Sequence, residues 1–173
     1  MLRLTIAVVA AVMAVGVVAP ASADSRIAVE WIQATCSVDA VVPHQSGGAL
    51  HMRGETHHDV IYMDLGEGHV PVGTNLIVFN YDISLKTLNG RGGGTFLAAL
   101  PAYETSFEGR FNGGIKNGML TARAIGAGHG GAFDGARMTA TITQFQPTLE
   151  QLGWMCDGAD VVKTVAVSAL IRP

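Results

Sequence analysis

Apolar and polar side chains alternate along most of this chain, and glycine interrupts the alternation at short intervals. A period of two is the signature of β-strands with one dry face and one wet face. In residues 103–111, Tyr103, Thr105, Phe107 and Phe111 alternate with Glu104, Ser106, Glu108 and Arg110. In residues 75–86, Ile77, Phe79, Tyr81, Ile83 and Leu85 share one face, while Asn80, Asp82, Ser84 and Lys86 make the other polar. The same period predicts strands over 27–35, 49–56, 58–65, 95–100, 119–126, 136–145 and 161–171, about nine in all. Helical spacing is scarce. Leu149, Leu152 and Met155 predict one short helical turn within 147–155, which Gly153 weakens.

Asn89-Gly90, Asn112-Gly113-Gly114 and Asn117-Gly118 supply the positive backbone φ that tight hairpins require. Neighbouring strands are therefore expected to be antiparallel, in an all-β domain that is a closed barrel of about eight strands or, alternatively, a two-sheet sandwich. Cys36 follows the first predicted strand and Cys156 precedes the last. A disulfide between them ties the ends of the domain together, as closure of the first strand on the last demands, and this favours the barrel. In the chain-entropy model a loop of this length contributes about 5 kcal/mol.

Ahead of the domain, Arg3 precedes an apolar run from Leu4 to Ala19, and Ala21-Ser22-Ala23 forms an A-x-A cleavage site. A run of about 16 residues falls short of the roughly 20 that cross a bilayer. The reading is a signal peptide over 1–23 and a single all-β domain over 24–173. The mature protein is expected to be secreted, periplasmic or at the cell envelope, without a membrane span. Oxidising compartments favour the Cys36–Cys156 bridge. The net charge of −3 becomes −4 once Arg3 is removed, with no run of either sign, which argues against nucleic acid as a partner.

Chemistry-bearing residues are few. His51, His57, His58 and Asp59 are ligand types for zinc or copper. On a straight strand, however, His51 and His57 stand roughly 20 Å apart. No metal site and no cofactor is expected from them. Their alternation instead places His51, Arg53, Glu55, His57 and Asp59 on a solvated face, with Leu50, Met52 and Val60 inward. No G-x-S-x-G elbow and no paired carboxylates mark a hydrolase. The glycine-rich run 126–135 lacks the Lys-Ser/Thr ending of a phosphate loop and reads as a hairpin connection.

Within that run, a glycine-rich turn, then Phe133, then a strand entered through Ala136-Arg137, resembles the G-T-G-x-F pattern of dirigent proteins and the related allene oxide cyclase barrels. This chain departs from the pattern: two residues separate Gly130 from Phe133, and His129 stands at the Thr position. The resemblance spans roughly 105–143. It implies an eight-stranded antiparallel barrel whose apolar lumen holds or folds a lipophilic small molecule, and no catalytic residue of the family maps onto this chain.

A lumen site needs a few polar groups among inward side chains. Tyr81 and Tyr103 stand in otherwise apolar faces, and Arg123 and Glu30 point inward in one register and are surface charges in the other. These four are the expected ligand-binding residues. The leading expectation is an exported barrel that binds a hydrophobic small molecule. A cyclase or isomerase on the same barrel and a cell-envelope interaction protein are the alternatives.

Overall fold

The computed structural model describes residues 26–39 and 41–173, so the signal segment expected over 1–23 lies outside the described residues. Nine strands follow one another: β1 (Ile27–Asp39), β2 (His44–Ser46), β3 (Ala49–Asp64), β4 (His69–Ser84), β5 (Gly90–Leu100), β6 (Thr105–Lys116), β7 (Met119–His129), β8 (Arg137–Phe145) and β9 (Lys163–Arg172). The order around the sheet is β1-β9-β8-β7-β6-β5-β4-β3, and β1 also pairs with β3. Eight antiparallel strands therefore close into a barrel. The first strand meets the last from Ile27 opposite Ile171 to Thr35 opposite Lys163. The short β2 stays outside the ring and pairs with the start of β3, His44 opposite His51.

Positive φ in the connection before β5 falls on Leu88, at +54°, and not on Asn89-Gly90, and three further departures from the sequence reading have local causes. Asn112-Gly113-Gly114 is not a turn but part of β6, where it pairs with both β5 and β7. The segments 49–56 and 58–65 form one strand, because Gly54 lets β3 bulge instead of ending. Between Met52 opposite Tyr81 and Glu55 opposite Phe79, β3 advances three residues while β4 advances two. Gly54 takes φ +73°, a left-handed conformation that glycine adopts without penalty, and donates its N–H to Asn80 Oδ1 at 2.9 Å. Finally, Tyr103 belongs to the short 3-10 turn Pro101–Tyr103, ahead of β6.

Two apolar cores result. The larger fills the barrel around Phe79, Phe96, Phe107 and Phe111. Part of its space comes from missing side chains. A Cβ on Gly109 would strike the Ile125 carbonyl and stand 2.8 Å from Cζ of Phe96, whose ring lies over this bare backbone. The smaller core lies on the outside, where the segment between β8 and β9 folds back on β1 and β3. Here Ala34, Tyr62, Met155 and Cys156 are buried together.

The predicted helical turn is α1 (Leu149–Trp154), closed at its start by Thr148, whose hydroxyl accepts from the Gln151 N–H while Gln151 Oε1 accepts from the Thr148 N–H. Trp154 sets its ring edge-on to Tyr62 at 5.1 Å and stacks on His69 at 5.0 Å. The Tyr62 hydroxyl accepts the Cys156 N–H at 2.7 Å. The Cys36–Cys156 disulfide locks this segment down, with Cα atoms 5.4 Å apart and a sequence separation of 120. Cys36 is itself the extra residue of a bulge in β1, between Thr35 opposite Asp59 and Ser37 opposite His58.

Two outcomes follow from this packing. Replacing Cys36 and Cys156 together with Ala lowers the unfolding free energy by up to about 5 kcal/mol, read as a fall in the urea midpoint. Gly109→Ala forces Phe96 and the Ile125 backbone apart and costs at least about 1–3 kcal/mol in the same assay.

Candidate functional site

The barrel interior is not completely filled. A cavity of about 190 Å³ runs among the inward side chains. One wall, from β5 to β8, is apolar and includes Phe96, Phe107, Phe111, Leu120, Met138 and Ile142. Gln33, Thr35, His57, Asp59, Asn75 and Lys163 line the cavity from the adjoining strands β1, β3, β4 and β9. Register brings four of these into a single row: Lys163 pairs with Thr35, Thr35 with Asp59 and Asp59 with Asn75. Paired residues on neighbouring strands share a face, so the row points into the lumen as a unit.

The Gly54 bulge is what brings His57 and Asp59 to this wall. An extra residue reverses the parity of the rest of the strand. Leu50 and Met52 face inward as expected. Beyond the bulge, however, the inward residues are Glu55, His57 and Asp59, each expected on the solvated face, and His57 and Asp59 are both only 4% exposed. Val60, expected inward, instead packs on the outer disulfide core.

The polar wall is incompletely paired. Asp59 accepts from the Thr35 hydroxyl, but its Oδ1 has no hydrogen-bond partner. Asn75 donates to Gln33 Oε1 at 3.3 Å while its own Oδ1 has none, and the indole N–H of Trp31, on the cavity wall, is also unpaired. A buried polar atom without a partner costs about 1–3 kcal/mol. Such a concentration in one chamber marks a place where a ligand or water supplies the missing bonds.

Burial governs the charges. Desolvation pushes the Asp59 carboxyl above its ordinary range, against the pull of the Thr35 hydroxyl and the charges of His57, Lys163 and His58. Desolvation also lowers the Lys163 ammonium, which Asp59 and Glu55 only partly offset. Its Nζ sits 4.3 Å from the centre of the Phe79 ring. His57 Nε2 is held by Glu55 Oε2 at 2.6 Å, and its ring meets Phe79 edge-on.

The four residues expected to bind a ligand are dispersed. Tyr103 lines the cavity and is 47% exposed, so it stands at the rim beside Phe133. Tyr81 points inward but packs against Phe79 at 5.2 Å, away from the cavity lining. Burial raises its phenol above the usual range, with Glu55 adding to the effect. Arg123 is exposed between the buried Ala122 and Ala124, and Glu30 is exposed between Val29 and Trp31. Both lie on the outer surface, in a row with Ser168 and Thr141 between them. Three strand spacings put them about 14 Å apart, too far to pair.

The other histidines of the motif are occupied separately. His51 Nδ1 meets Asp82 at 2.7 Å and its Nε2 meets Ser46, and His58 meets Asp39 at 3.2 Å. The bonds from His51 and then Arg53 hold the Asp82 carboxyl below its usual range. Among the described residues no group of three or more His, Cys, Asp or Glu side chains is arranged to hold a metal ion.

Gln33, Thr35, Asn75 and Lys163 are not among the residues expected from the sequence to line the site. The signal was present: each continues, in phase, an inward series such as Val29-Trp31 or Val165-Val167. No protein-family model matches the chain, and no curated protein matches it.

The raised Asp59 pKa has a stability consequence. The folded state holds this proton above the pH at which the unfolded chain releases it, so the contribution is favourable at low pH and is lost as pH rises through the raised value. Asp59→Asn is expected to raise Tm by a few °C at pH 7, with the difference vanishing below about pH 4, in thermal scans across pH.

Proposed function

We infer that this protein binds a small, predominantly apolar molecule in its barrel lumen, with one neutral polar group of the ligand seated on the Asp59–Asn75 wall. The observation that carries the reading is the pairing of an apolar wall with orphaned polar atoms in one cavity: Asp59 Oδ1, Asn75 Oδ1 and Trp31 Nε1. A hydroxyl both donates and accepts, and so answers the carboxyl or amide oxygens and the indole N–H together. A cavity of about 150 Å³ holds benzene, so one of about 190 Å³ encloses a single ring or a short chain. Longer ligands leave past Tyr103 and Phe133 at the rim.

The disulfide is consistent with the exported location expected from residues 1–23. Among the described residues no helix is long and apolar enough to cross a membrane. An extracytoplasmic binding protein for an apolar metabolite accords with both.

One observation favours a second reading, a cyclase or isomerase on the same chamber, as the dirigent and allene oxide cyclase resemblance implies. A carboxyl whose pKa is raised by burial in an apolar site is suited to general-acid work. On that reading Asp59→Asn abolishes turnover of an unsaturated apolar substrate while ligand affinity changes little.

Binding itself is tested with cinnamyl alcohol and titration calorimetry. A Kd on the order of 10 µM and a negative heat-capacity change are expected. Ala140→Phe, which fills the cavity from β8, is expected to weaken binding at least tenfold. Absence of heat with the unaltered protein, or full affinity in Ala140→Phe, refutes the lumen as the site.

A further inference from the structure

Lys163 is one of three lysines in the chain, and the only one that lines the cavity. Lys86 and Lys116 are exposed on the surface. Among the described residues the Lys163 amine has no ion pair, and it lies over the face of Phe79. The titratable groups that face it are Asp59, Glu55 and His57, all from β3. Glu55 is engaged by His57, whereas Asp59 keeps a free oxygen. Register sets Lys163 and Asp59 two strands apart across Thr35, their backbones about 10 Å from each other. The amine and the carboxyl thus line the same apolar chamber, with Thr35 between their strands.

We propose that Lys163 anchors the ligand covalently, by forming a Schiff base with an apolar aldehyde or ketone in the lumen, with Asp59 as proton donor and counter-ion. The proposal rests on the lumen-binding reading and adds the ligand's reactive group. A carboxylate ligand is disfavoured, because Asp59 and Glu55 sit on the same wall as the single cation. A carbonyl is neutral, and its oxygen accepts from the Asp59 carboxyl or the Trp31 N–H.

The chemistry balances with groups already present. The neutral amine of Lys163 adds to the carbonyl carbon, and transfer of a proton from nitrogen to oxygen gives a carbinolamine. The Asp59 carboxylic acid then protonates the hydroxyl, which leaves as water as the C=N bond forms. The products are an iminium on Lys163, a carboxylate on Asp59 facing it, and one water. Desolvation favours the starting state, since it holds the amine and the carboxyl toward their neutral forms.

The test uses cinnamaldehyde as the probe, with sodium cyanoborohydride to trap the imine on the mature, disulfide-closed protein. The expected result is a mass gain of one aldehyde less its oxygen, mapped by peptide sequencing to Lys163 at least tenfold above Lys86 and Lys116, and a red-shifted absorbance before reduction. Lys163→Met and Lys163→Arg are both expected to lose the adduct, and cinnamyl alcohol affinity retained in either variant shows that the loss is not a folding defect. Asp59→Asn is expected to slow trapping at least tenfold. Labelling spread equally over all three lysines, or no adduct on a protein that binds cinnamyl alcohol, overturns the covalent proposal and leaves the lumen reading standing. Failure to bind cinnamyl alcohol as well overturns both.

Discussion

In a closed sheet every strand offers one face to the lumen and the other to the outside, so the parity of each strand decides which side chains the interior receives. In this barrel that constraint turns on Gly54. One additional residue in β3, accommodated at φ +73°, exchanges the two faces for the remainder of the strand. Without it Arg53 would continue a series through Glu55, His57 and Asp59 on one side. With it Arg53 stays in solvent beside Asp82 while His57 and Asp59 are carried into the barrel. The register of Asp59 then aligns it with Thr35 and Asn75, and through Thr35 with Lys163. The presence of His57 and Asp59 in the polar wall is a consequence of a backbone irregularity, not of a local motif.

The outer core keeps that wall in place. Cys36 occupies the bulge of β1 immediately after Thr35, and its bond to Cys156 pins the β8–β9 connection against the barrel just ahead of Lys163. Tyr62, on the same strand as Asp59 and Ile61, faces the other way and holds the Cys156 N–H. Thus β1, β3 and the approach to β9 are cross-linked on the outside where they carry Thr35, Asp59 and Lys163 on the inside. Sites built on strands and braced from behind keep their geometry better than sites on loops. The rim, by contrast, is made by the two short 3-10 turns that bear Tyr103 and Phe133.

The fold was legible in the sequence because its determinants are local. Alternation in residues 75–86 and 103–111, the Asn117-Gly118 turn and the placement of the two cysteines each report on a few neighbouring residues, and together they point to a closed antiparallel sheet. The pairing of β1 with both β9 and β3 closes the ring and excludes the sandwich. The candidate site was much less legible. Arg123 and Glu30 are charges between apolar positions, and the phase of Ala122-Ala124 and Val29-Trp31 places both outside. His57 and Asp59 were assigned to the wrong face because a bulge leaves no mark on composition: Gly54 is one glycine among 22. Partnership across strands, such as Lys163 with Thr35, depends on long-range register and is invisible to any window of sequence.

The energetics of the lumen argue that these polar groups serve something other than stability. An interior of phenylalanine, isoleucine and alanine already supplies the apolar burial that holds a domain of this size together. Asp59, Asn75 and Trp31 each give up hydrogen bonds on folding that the barrel does not return, and Asp59 and Lys163 are driven toward neutrality instead of meeting as an ion pair. Replacing such groups with apolar residues of similar volume is commonly neutral or stabilising. A chamber that retains them is poorly optimised as a core and well arranged as a receptor, because a ligand bearing one neutral polar group recovers in binding what the empty fold forgoes.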